Sequence, residues 1–214
     1  MTRHSRNILW TGILASSLWA FSEVVLGAAL RAVTLPLRST LLTGVAVFIL
    51  LAAFACTRRI HTLIIASLTA VTGRIILTLA AGTEISLSNG SLAVIVTGFC
   101  VAGALNVLQV HKNPSITYIG FTAATAILLS GTLFYAARLH LDPCPYLTQM
   151  TPLMCFVRET LLWAVLSAVS APIGYAAGQA LLQSQEKTRL NRLPVHALII
   201  VSWLGCGIVI WLAG

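Results

Sequence analysis

Residues 16–33, SSLWAFSEVVLGAALRAV, read as a membrane-spanning helix interrupted by one carboxylate, Glu23. Leu18, Trp19, Phe21, Val24, Val25 and Leu26 surround it along the chain. A charged side chain in hydrocarbon costs a few kcal/mol, so such residues face protein, water or a partner charge. The stretch therefore predicts a helix whose Glu23 face meets something other than lipid.

The rest of the chain has the same character. Of 214 residues, 58% are hydrophobic and only 8% charged, against about 25% charged in a soluble domain. With a mean hydropathy of +0.94, there is too little polar surface to coat a water-soluble globule. The chain reads as an integral membrane protein. Its net charge of +8 comes from 13 Lys and Arg against 5 Asp and Glu. Most cations fall in short runs between apolar stretches, as cytoplasmic loops and anionic headgroups require. No basic patch is interleaved with exposed aromatics, which argues against nucleic acid as a partner. MTRHSRN resembles the start of a secretory signal. The apolar run that follows, Ile8–Leu30, has 23 residues, longer than the roughly 7–15 of a signal core, and reads as a retained first span.

Seven stretches approach the roughly 20 helical residues that cross a bilayer: 8–30, 37–56, 60–82, 88–110, 115–138, 153–182 and 194–213. Barrel strands would alternate in polarity, and no such pattern occurs. The prediction is an all-α polytopic bundle of about seven transmembrane helices, a single domain over 1–214. Breakers mark the connections: Pro36, Asn89-Gly90, Asn113-Pro114, Pro143 with Pro145, and Pro194. AAGTEISLSNGS reads as a loop or a partly re-entrant segment, and Pro172 predicts a tilt or kink in the long sixth span. With the N-terminus inside, the cytoplasmic segments carry Arg3, Arg6, Arg58, Arg59, Lys112, Lys187, Arg189 and Arg192. The outer ones carry Arg31, Arg38 and Arg138. That asymmetry predicts a cytoplasmic N-terminus.

Counting 1.5 Å per residue gives the depth of each buried charge. Glu23 lies about 10 Å below the outer end of span one, Arg74 about 12 Å below that of span three, and Arg158 and Glu159 about 8–9 Å into span six. Two readings follow. Glu23, Arg74, Arg158 and Glu159 line an outward-facing polar cavity between spans one, three and six, with Arg31 and Arg38 as its rim. Alternatively, they form an ion-pair cluster that only fixes helix register.

Small residues recur every fourth position: Gly12, Ser16 and Ala20 in span one, Gly98 and Ala102 in span four, Ser170, Gly174 and Gly178 in span six. Such faces let helices approach closely, within the chain or against a partner. Glu23 falls on nearly the same stripe as Gly12, Ser16 and Ala20, so that stripe faces protein. Asn106 and Gln109 continue the span-four face as a second polar seam. Cys56, Cys100 and Cys206 sit in apolar spans as packing residues, and Cys144 and Cys155 are candidates for a disulfide on an oxidising side. His140, Asp142 and Cys144 match no zinc pattern, so no metal site is predicted. No phosphate-loop or hydrolase motif is present, and neither a catalytic residue nor a cofactor is predicted.

LWAFSEVVLGAALRAVTLPLRSTLLTGVAVFILL (18–51) and SITYIGFTAATAILLSGTLFYAARL (115–139) resemble the substrate-binding S components of energy-coupling factor transporters. The resemblance implies a six-helix core, here with an added C-terminal helix, in the bacterial cytoplasmic membrane. It implies uptake of a vitamin-like micronutrient at the outer side, powered by a transmembrane coupling subunit and ATPases. It also implies that Gly12, Ser16 and Ala20 dock the coupling subunit. Thr2 stands where nickel and cobalt relatives carry a His. The leading expectation is a non-catalytic binding subunit or permease for a small polar solute. The alternatives are an intramembrane enzyme acting on a lipid, with Glu23 or Glu159 as base, and a structural subunit.

Overall fold

Each of the seven apolar stretches forms a helix in the computed structural model, which describes residues 3–33, 37–80, 89–109, 114–141, 154, 159–187 and 193–213. Helix α1 (Arg3–Phe21) continues through a π-helical turn (Ser22–Leu26) into α2 (Gly27–Ala32), giving one rod. The others are α3 (Arg38–Thr57), α4 (Ile60–Ala80), α5 (Asn89–Gln109), α6 (Ile116–Leu141), α7 (Leu161–Lys187) and α8 (Leu193–Ala213). No strand occurs among the described residues. Among the described residues, five helices are long and apolar enough to cross a membrane, while α4 and α8 contribute shorter apolar segments, Ile60–Gly73 and Ala197–Val209. Phe121, Val165, Val169, Ile173 and Leu204 are exposed on the outside of the bundle, a surface that suits contact with lipid. The chain is an integral membrane helical bundle.

Six rods pack in a ring in the order α1, α4, α5, α6, α7, α3 and back to α1; α8 lies outside it, against α1 and the π turn. The core sits where α3, α4, α5 and α6 converge, around Leu50, Phe54, Leu63, Leu105 and Ile127. Small residues set the closest approaches. A Cβ on Gly174 would overlap the backbone of Phe48, and one on Gly178 that of Ala52, so α7 and α3 meet nearly backbone to backbone. Cys56 Sγ adds a 3.3 Å contact to the Gly178 carbonyl.

The sixth span was expected over 153–182; residues 159–160 are helical and lead into α7, which runs to Lys187, while 153 and 155–158 lie outside the described residues. Pro172 lies inside it, and the helix continues past it. Proline cannot bond the carbonyl four residues back, here that of Ala168. Gly120 of α6 comes against that carbonyl, a Cβ placed there falling 2.7 Å from the oxygen. A glycine thus lets the neighbouring helix close over the freed acceptor. At the opposite end of the bundle from Glu23, Arg58 turns α3 into α4 in the left-handed conformation at φ 52°. Its N–H caps the Phe54 carbonyl at 2.6 Å, and its guanidinium lies 5.0 Å from the centre of the Tyr175 ring.

Candidate functional site

Glu23 sits on the π turn. The Gly27 N–H reaches back five residues to the Ser22 carbonyl, and the Ser22 hydroxyl donates to the Trp19 carbonyl at 2.8 Å. A π turn inserts one residue into a helix and occurs disproportionately at functional positions. Glu23 is half-buried and lines a small, partly open cavity whose walls, among the described residues, also include Trp19, Ala20, Val24, Ala70, Val94 and Trp203. The walls thus come from the first rod, α4, α5 and α8. The cavity is small, with about 10 Å³ of free volume, close to the room one water molecule needs.

Trp203 closes one side. Its ring fills a notch left by Gly73 on α4, where any Cβ would collide with it, and its Nε1–H donates to Ser17 Oγ at 2.9 Å. Trp19 is almost wholly buried on the other side, at 1% exposure. The stripe of Gly12, Ser16 and Ala20 runs up to this cavity and is consumed within the chain. A Cβ on Gly12 would lie 2.8 Å from Ile65, Ser16 is fully buried with its hydroxyl on the Ile13 carbonyl, and Ala20 is a cavity wall. The expected docking of a coupling subunit on that stripe is therefore corrected: α4 occupies it.

Of the four charges expected in one layer, Glu23 lines the cavity, while the Arg74 side chain and Arg158 lie outside the described residues. Glu159 is absent from the cavity wall; its Oε2 accepts the Tyr135 hydroxyl at 2.8 Å in the seam between α6 and α7. Span six has α3 and α6 as its main neighbours, and α3 packs against both it and the first rod, so the two carboxylates belong to separate seams. Around Glu159, Tyr135 stacks on Trp163 at 6.0 Å between ring centres, Phe134 meets Tyr135 edge-on, and Trp163 Nε1–H donates to Ser39 at 3.2 Å. Arg74 lies on α4, which packs along α1, and Arg31 on α2; their side chains, and all of Arg158, lie outside the described residues. Arg38 is exposed at the start of α3.

Cys56, Cys100 and Cys206 are free thiols within helices, while Cys144 and Cys155 lie outside the described residues. His140 is exposed at the end of α6, and Asp142 lies outside the described residues. No metal-binding group of His, Cys, Asp and Glu occurs among the described residues. Asn106 is exposed, not part of an interhelical seam. An open groove of about 340 Å³ between α5 and α6, lined by Phe99, Gly103, Thr125 and Leu129, has the apolar character of a lipid-facing surface.

Trp19, Trp203, Tyr135, Trp163 and Ser39 are the site residues that spacing did not single out. The available signal was chemical: three of them are indoles with a polar handle, which seek a partner when buried. Compared with known proteins, the chain matches no family profile, no curated protein and no solved structure.

Proposed function

We propose that this protein is a membrane-embedded binding subunit or permease for a small polar, vitamin-like solute, with energy supplied by partner subunits. The observation that carries the reading is Glu23, an ionisable group on a π turn inside an apolar bundle, lining a cavity walled by two tryptophans. A carboxylate meant only to lock helix register needs no cavity beside it. The resemblance of residues 18–51 and 115–139 to S components supports the same reading. Solute enters from the end of the bundle that carries Glu23, Ser39 and Tyr135, and Arg38 stands at that rim.

In the present conformation the cavity admits only a water-sized group, so loading requires Trp203 to leave the Gly73 notch. Helix α8 is suited to that motion because it lies outside the ring and packs mainly on α1. The test is unbiased mass spectrometry of the purified protein under native conditions. A retained small molecule supports the reading. Stoichiometric protein partners with no solute favour a structural subunit, and turnover of added lipid favours an enzyme.

A further inference from the structure

Among the described residues, Arg58 alone combines a side chain with a positive φ, 52°. It follows the last residue of α3, the position where a left-handed turn closes a helix and where glycine sits without strain. A chain that keeps a long cation at such a position has a use for its side chain. Part of that use is visible: the guanidinium lies over the Tyr175 ring of α7, 5.0 Å from its centre. The ring contact holds the charge in place, and a guanidinium with five N–H donors serves other acceptors as well. Arg59, next in the turn, is exposed.

The apolar span of α3 ends at Thr57, so the two arginines stand where hydrocarbon gives way to headgroups. By sequence, the N-terminal segment and the connections assigned to this side of the membrane carry eight Lys and Arg against one acid, Glu186. The rest of the chain carries five against four. Almost all of the net charge of +8 therefore belongs to the end that contains the turn. Adjacent guanidiniums suit a phosphate, whose oxygens accept paired N–H bonds. At the edge of the hydrocarbon, the phosphate at highest local concentration is that of the membrane lipid itself. Lipids with a net negative charge are favoured there over zwitterionic ones.

We infer that the α3–α4 turn is a binding site for an anionic phospholipid headgroup, with the Arg58 and Arg59 guanidiniums as its phosphate ligands. The site lies at the opposite end of the bundle from Glu23 and is independent of the solute-binding reading.

The experiment places the purified protein in nanodiscs of equal phosphatidylglycerol and phosphatidylcholine and counts the lipids it retains by native mass spectrometry. The wild type should keep phosphatidylglycerol in preference. R58G and R59Q should each lower that preference about fivefold, the equivalent of about 1 kcal/mol for one cation at the membrane surface. R58G suits the left-handed backbone at this position, so loss of lipid in that variant is not loss of fold. R189Q/R192Q removes two charges from another connection and should lower the preference less than R58G/R59Q. No preference in the wild type overturns the proposal without any variant. Equal losses from the two double variants overturn it too, because the charge of the whole end, not the turn, would then hold the lipid. Displacement of the lipid by excess inorganic phosphate would make this a site for a soluble anion and overturn the lipid assignment.

Discussion

Trp203 and Ser17, 186 positions apart in the chain, are joined by a 2.9 Å hydrogen bond from indole to hydroxyl. The Ser17 hydroxyl in turn donates a hydrogen bond to the Ile13 carbonyl at 2.8 Å, so the contact ties α8 into the backbone of α1. Because the same ring fills the Gly73 notch and walls the Glu23 cavity, one side chain both docks the last helix and closes the candidate site.

S17A leaves the Trp203 ring in its notch and removes the acceptor of its N–H. It should cost about 0.6 kcal/mol, the average for interhelical hydrogen bonds in a membrane bundle. G73L forces the ring out of its notch and should cost more, about 1–3 kcal/mol. Unfolding of the purified protein in graded denaturing detergent should rank them in that order. Equal stability of G73L and wild type would show that Trp203 does not occupy the notch.

The Tyr135–Glu159 pair should behave as a coupled unit. Y135F leaves the carboxylate without its phenolic donor, at about 0.6–1.7 kcal/mol. Gln at position 159 still accepts from Tyr135, so E159Q should be milder than E159L. A double-mutant cycle on Y135F and E159L should return a coupling energy above about 0.5 kcal/mol. Simple additivity would place the two side chains apart.

Glycine substitutions separate tight helix contacts from open ones. G174L and G178L should disrupt the α3–α7 seam and yield aggregated protein, because their side chains would enter the backbone of Phe48 and Ala52. G103L should leave expression and monodispersity unchanged, since a Cβ there meets nothing within 4 Å. Size-exclusion chromatography distinguishes the three.

The proposed orientation predicts labelling from opposite sides. In a cysteine-free background, R59C should be protected from an impermeant thiol reagent in intact cells, and H140C should react. Both positions are exposed, at opposite ends of the bundle. The reverse pattern would invert the topology and place the Glu23 end in the cytoplasm.

Helix number and approximate ends were legible because each apolar run is flanked by a breaker such as Pro36 or Asn113-Pro114. Glu23 facing protein was legible too, since the Gly12, Ser16 and Ala20 stripe leads to it at helical spacing. The π turn was not, because a bond from residue 27 back to residue 22 leaves no compositional mark. Depth along a helix follows from counting, whereas packing order around a ring depends on how side chains of distant segments fit. Glu23 and Glu159 therefore came out at similar predicted depths yet lie in separate seams. Trp203 was missed because its complement is an absence, the missing side chain of Gly73 on another helix.

The central claim is that Glu23 binds solute, and its most direct test compares solute retention in wild type and E23Q by native mass spectrometry. E23Q keeps shape and hydrogen-bonding capacity, so both proteins should elute as the same monodisperse species. The wild type should carry a small polar molecule, and E23Q should carry at least about tenfold less, a difference of about 1.4 kcal/mol in binding. Equal retention by the two proteins, or none by the wild type, would contradict the claim.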